Sequence, residues 1–146
     1  MPQRPSEIPT AHRALQAGLS ARVALTVTGA DTATALRSGN VPVLATPRLI
    51  ALGEEASCKA LDGHLAPGFT SVATRIQFDH LAPAVVGATV TAEATLEKVE
   101  GRRLTFTLSA TLRSADHDGL VGAGRLTRVL VDEAAFLAKA GALAGG

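Results

Sequence analysis

The chain has no tryptophan, no tyrosine, four phenylalanines and a single cysteine among its 146 residues. A lone thiol, Cys58, excludes an internal disulfide and any zinc site built from several cysteines. A reducing compartment, the cytoplasm, is therefore the expected location. An excess of charge is also missing: 14 Lys+Arg against 13 Asp+Glu leave a net charge of +1. That balance argues against nucleic-acid binding through bulk charge and against polybasic docking to a membrane surface. No apolar run approaches the roughly 20 residues needed to cross a bilayer. Pro2, Pro5 and Pro9 interrupt the first ten residues too often for the apolar core of a signal peptide. Residues 1–18 are expected to form a flexible lead-in, with at most a turn of helix near Ala11–Ala17, and residues 19–146 a single domain.

Small apolar side chains are what the sequence has in abundance. Hydrophobic residues make up 47%, and alanine alone occurs 28 times. A core of Ala, Val and Leu has little bulk to anchor isolated elements, which favours an oligomer that extends it.

Ala21–Thr28 alternates as a strand, with Val23, Leu25 and Val27 on one face. Asp31 is expected to cap a short helix, Thr32–Arg37. Thr46 before Pro47 reads as an N-cap followed by a proline in the first helical turn, opening a helix that runs to about Leu61. At 100° per residue, Arg48, Glu55 and Lys59 share its polar face, with Glu55 and Lys59 spaced for an i,i+4 ion pair. Leu49, Ile50, Gly53, Ala56, Ser57, Ala60 and Leu61 lie opposite. Glu54 falls in that less polar arc, so two adjacent glutamates face different surroundings. Gly53 costs about 1 kcal/mol in a helix interior, and close approach of another backbone is the expected compensation. Cys58 reads as a small core or interface residue.

The period then changes to two. Ser71–Phe78, Thr89–Val99, Arg103–Arg113 and Val121–Val131 read as strands. His80-Leu81-Ala82-Pro83 reads as a loop, Glu100-Gly101 and Asp116–Gly119 as turns. Asp132 is expected to cap a C-terminal helix, Glu133–Ala140. One central helix followed by long antiparallel hairpins implies an α+β fold with the helix covering one sheet face. Gly122 and Gly124 are not followed by a helix, so they mark a bulge or close contact rather than a phosphate loop.

The order and spacing of three stretches resemble those of hotdog-fold acyl-CoA thioesterases, closest to the fluoroacetyl-CoA-thioesterase-like branch. These are Ala45-Thr46-Pro47 through Gly53-Glu54-Glu55-Ala56, Ala73 through Pro83 closing at Gly87, and Val99-Glu100-Gly101-Arg102-Arg103-Leu104. The resemblance implies a long central helix wrapped by a curved antiparallel sheet. It also implies a homodimer or dimer of dimers, acting on an acyl thioester of coenzyme A or of a carrier protein without metal or cofactor. In such a dimer the helix of one chain would face the histidine loop of the other. Threonine, glutamate and histidine at the family's active site fall on Thr46, Glu54 and His80; Ala45, Ala73, Thr74 and Arg128 fall near the substrate. Two departures stand out. Ala73 replaces the family's usual glycine before Thr74, and no aromatic residue lies between Thr28 and Arg48 to cover an acyl group. The fluorinated substrate is therefore not carried over.

Each candidate also has a structural reading. Glu54 has the setting of a carboxylate tuned by burial to activate water or to attack a thioester, or it pairs with a basic neighbour. His80 has a side chain suited to proton transfer near neutral pH, or it is a surface histidine. Thr46 either caps the helix or acts in the chemistry beside the helix amides. Arg102, Arg103, Arg125 and Arg128 read individually as a solvated face, with contact to coenzyme A phosphates as the alternative. A non-catalytic acyl-binding module and, less favoured, an enoyl-thioester hydratase or dehydratase are the competing functions.

Overall fold

Five strands form one antiparallel sheet in the order β1-β3-β4-β5-β2. The computed structural model describes residues 15–113 and 118–145. The strands are β1 (Ser20–Thr26), β2 (Phe69–His80), β3 (Thr89–Glu100), β4 (Arg103–Arg113) and β5 (Asp118–Asp132); the helices are α1 (Ala33–Leu36), α2 (Thr46–Leu61) and α3 (Glu133–Gly145). The 12-residue β2 and the 7-residue β1 are the two edges.

Alternation decides which face is buried. Val90, Ala92, Ala94 and Leu96 of β3 and Leu104, Phe106, Leu108 and Ala110 of β4 are all buried. They pack against Leu49, Leu52, Ala56, Ala60 and Leu61 of α2, which lies across the same face. The two periodicities implied an α+β fold with the helix on one sheet face; a long helix held in an antiparallel sheet is also the hotdog architecture that the resemblance implied. Glu100 pairs with Arg103 around the tight turn at Gly101, whose φ of +62° suits glycine.

Several local expectations change. Asp31 does not cap the short helix; Thr32 does, accepting from the Ala35 amide, and the helix is limited to Ala33–Leu36. Gly53 is approached by the Leu108 side chain, 3.0 Å from where a Cβ would sit, rather than by another backbone. Lys59 makes no ion pair with Glu55 and donates instead to the Arg22 carbonyl at 3.1 Å. Cys58 is exposed rather than in the core. Leu15, placed in the lead-in by the sequence, is buried in the core, and the Gly18 amide donates to Leu96. The helical turn expected near Ala11–Ala17 lies mostly outside the described residues. So does the first half of the Asp116–Gly119 turn; Asp118 and Gly119 already belong to β5. Asp132 does cap the C-terminal helix, accepting from the Ala135 amide at 3.0 Å. That helix continues to Gly145 and buries none of its residues.

Gly122 and Gly124 mark close contact, one of their two expected uses. They face His80 and Phe78 across the β5–β2 ladder. A Cβ on Gly122 would lie 2.6 Å from the Phe78 ring; one on Gly124 would lie 2.1 Å from the Gln77 carbonyl oxygen. The strand that carries His80 is thus seated directly on bare backbone.

Candidate active site

The first turn of α2 and the last residue of β2 meet in one chain. Thr46 Oγ1 and His80 Nδ1 share a hydrogen bond of 2.8 Å. This juxtaposition follows from topology: after Leu61 the chain reverses, so β2 runs back along the helix and ends beside its start. His80 terminates β2 rather than lying in the following loop, and alternation turns it to the same side as Ile76 and Phe78. Its Nε2 is buried and has no hydrogen-bond partner among the described residues. An unpaired buried nitrogen costs about 1–3 kcal/mol, a cost that a substrate or a second chain would relieve. Asp79 points the other way and is exposed.

Thr46 is not the helix cap. Ala45 occupies that position with no side-chain hydrogen bond, Thr46 is the first helical residue and Pro47 the second. The threonine hydroxyl is therefore free to engage His80. Beside the pair lies a cleft of about 280 Å³, lined by Val43, Leu44, Leu81, Ala82 and Pro83 among others. Larger hollows lie elsewhere. One of about 580 Å³ lies on the outer sheet face between Arg22 and Arg113, and its Glu93 carboxylate is held by Arg22.

Glu54 is half-buried, and its carboxylate makes no hydrogen bond or ion pair among the described residues. Eight residues of helix separate it from Thr46, about 12 Å along the axis. The structure therefore joins two of the three site candidates in one chain and leaves the third apart. It also shows the start of α2 facing its own chain's histidine.

Ala45 is fully buried behind the site. Ala73 and Thr74 are exposed on β2, where the ladder shifts register between Ala73 and Arg75; this bulge had no sequence signal beyond the missing alternation. Arg128 is not on a solvated face. It is 7% exposed, donating from Nε to Ser71 Oγ at 2.8 Å, from Nη2 to the Ser71 carbonyl at 3.0 Å and from Nη1 to Ser57 Oγ at 3.4 Å. Arg125 is exposed and pairs with Glu97 at 3.5 Å.

A cluster that sequence reasoning missed lies just behind Thr46. The Asp31 carboxylate accepts from the Thr28 amide and hydroxyl, each at 2.8 Å, and from Arg48 Nε at 3.0 Å. The Thr28 amide above all, then its hydroxyl and Arg48, hold the Asp31 carboxyl below its ordinary value of 3.8, against the opposing effect of burial. A carboxyl with a depressed folded pKa adds stability that is full above the unfolded value and is lost as pH falls through the folded one. The stability advantage of wild type over Asp31→Asn is accordingly expected to be flat above about pH 5 and to shrink below about pH 4. Urea unfolding across that range measures it.

The fold and the chain's relatives make it a hotdog-fold thioester hydrolase. Residues 27–134 match the family described as fluoroacetyl-CoA-specific thioesterase, and the chain belongs to that family. A fluoroacetyl-CoA thioesterase of Streptantibioticus cattleyicolor is 38% identical over 99 residues, covering 66% of this chain and 67% of that one. A solved structure of the fluoroacetyl-CoA thioesterase FlK is 31% identical with a TM-score of 0.77, covering 86% of this chain and 95% of that one. A hot-dog-like protein from Thermanaerovibrio acidaminovorans is 28% identical with a TM-score of 0.82, covering 94% and 98% of the two chains.

Proposed function

We propose that this protein hydrolyses acyl-CoA thioesters at a centre formed by Thr46, His80 and Glu54. The Thr46–His80 hydrogen bond at the mouth of a cleft carries this reading. With Nδ1 protonated, His80 donates to Thr46 Oγ1 and leaves the threonine proton free to polarise the thioester oxygen. Glu54 supplies the attacking oxygen, by deprotonating a water or by adding directly to the acyl carbon. The carbon–sulfur bond then breaks: the Nδ1 proton of His80 passes through Thr46 to the sulfur while Nε2 takes up the proton that Glu54 drew from water. After direct addition, a water cleaves the glutamyl–acyl anhydride, supplies that proton and returns Glu54 as the carboxylate. Ala73 and Thr74, exposed on β2, contact the acyl thioester, and Ala45 and Arg128, both buried, support its binding site from behind. With Ala73 in place of glycine, and no aromatic side chain between Thr28 and Arg48, the acyl group is not assigned as fluoroacetyl.

Distance within one chain makes a homodimer part of the proposal. Glu54 lies too far along α2 to touch its own His80, so the third group comes from a second copy. Two features support such a copy. β2 is a 12-residue strand at an open sheet edge, a surface that invites isologous pairing with itself. Leu81, Val85 and Val86, which follow His80, expose more than half of their surface. Action in the cytoplasm, away from nucleic acid and membrane, completes the reading. Among the described residues, no helix is long and apolar enough to cross a membrane.

Free-thiol release from short, aromatic and long acyl-CoA substrates, with wild type and Glu54→Gln side by side, tests the proposal. Turnover by wild type and a loss of at least roughly a hundredfold in the variant are expected. Equal turnover in both would remove Glu54 from the mechanism. Acyl-CoA binding without turnover in either protein would make the domain a binding module.

A further inference from the structure

The start of α2 has few local anchors. Its cap is an alanine with no side-chain bond, its first turn contains no acidic residue, and Pro47 removes an amide donor. Arg48 even places a positive charge at the positive end of the helix dipole. What holds this turn is Asp31, a residue of another segment. Its backbone carbonyl accepts from the Ala45 amide at 2.9 Å, and its carboxylate accepts from Arg48 Nε at 3.0 Å. These bonds fall one residue before Thr46 and two residues after it. The same carboxylate closes the Thr28–Asp31 turn through two further bonds, so Asp31 itself has little freedom to move. Its side chain is 13% exposed.

From this bracket we propose that Asp31, acting with Arg48, is a positioning residue for the reaction: it fixes the turn of α2 that presents the Thr46 hydroxyl to His80. Asp31 makes no hydrogen bond to Thr46 or His80, and it acts through the Ala45 backbone and the Arg48 side chain on either side of Thr46. The negative charge that a helix start ordinarily takes from its own first turn is supplied here from the preceding loop. Thr46, released from capping, becomes available for chemistry. The inference rests on Thr46 belonging to the reacting centre.

A double-mutant cycle on thiol release tests it, run well below the melting temperature of every variant. The proteins are wild type, Thr46→Val, Asp31→Asn and the double variant. Asp31→Asn is expected to lower kcat roughly ten- to a hundredfold, as misplacement by about 1 Å does, with KM changed little. In the Thr46→Val background the same substitution is expected to lower kcat hardly at all, because there is no longer a hydroxyl to position. A loss of equal size in both backgrounds would show a general structural effect and overturn the proposal. Arg48→Met removes one side of the bracket and leaves the Thr28 turn closed. It is expected to repeat the pattern at smaller size, and it serves as the readout if Asp31→Asn does not fold. Full activity in Asp31→Asn and Arg48→Met, with Thr46→Val impaired, would overturn the proposal and leave the site reading standing. Full activity in Thr46→Val would overturn the site reading and the inference together.

Discussion

Replacing His80 by alanine is expected to lower kcat/KM for thioester hydrolysis by roughly 10²- to 10⁴-fold, the usual contribution of a positioned acid–base group. The loss should come without a loss of stability. His80 is half-buried at the end of an edge strand, its Nδ1 engages Thr46, and its Nε2 is buried without a partner. Deleting the ring therefore removes an unsatisfied polar atom along with one hydrogen bond, and the two effects are of similar size. A melting temperature within a few degrees of wild type, together with collapse of turnover, is the expected signature of a residue kept for chemistry at some expense to the fold. Thermal denaturation and thiol release on the same preparation measure both. An unchanged kcat/KM would remove His80 from the site.

The second large effect is structural. Gly124→Ala is expected to destabilise the protein by about 3 kcal/mol or more, at the upper end for overpacking of a close contact. The added methyl group would lie 2.1 Å from the Gln77 carbonyl oxygen and 2.8 Å from Phe78 Cα. Both are backbone atoms of β2, so relief requires β2 to part from β5. Because β2 ends at His80, surviving protein should also turn over slowly. Gly29→Ala is the control: nothing lies within 4 Å of its added Cβ, and its stability should match wild type within about 0.5 kcal/mol. Equal stability of the two variants would show that β5 and β2 are not held as closely as described.

Much of this arrangement is legible in the residues. Two clean periodicities identify α2 and the β3–β4 hairpin, because nearly every inward position in them is apolar. Arg128 was legible too: it lies two residues after Leu126 and two before Leu130, both buried, so alternation alone turns it inward. Its charge argued for solvent, and Ser57 and Ser71, which make its burial tolerable, come from distant segments. Thr46 shows the opposite limit. A threonine before proline satisfies the rule for a cap and equally the rule for a first helical residue. The Ala45–Asp31 and Arg48–Asp31 bonds decide between them, and both are tertiary. Likewise no local pattern reports that Gly122 and Gly124 leave room for Phe78, since the contact belongs to the pairing of β5 with β2.

One catalytic centre assembled from Thr46 and His80 of one chain and Glu54 of another is the claim on which the rest depends. Complementation tests it most directly. Glu54→Gln and His80→Ala proteins, each inactive alone, are refolded together in equal amounts and assayed for thiol release. Random assortment makes half of the dimers mixed, and each mixed dimer regains one of its two sites. About a quarter of wild-type activity is the expected result. No activity above that of the separate variants, with mixed dimers present, would contradict a site shared between chains.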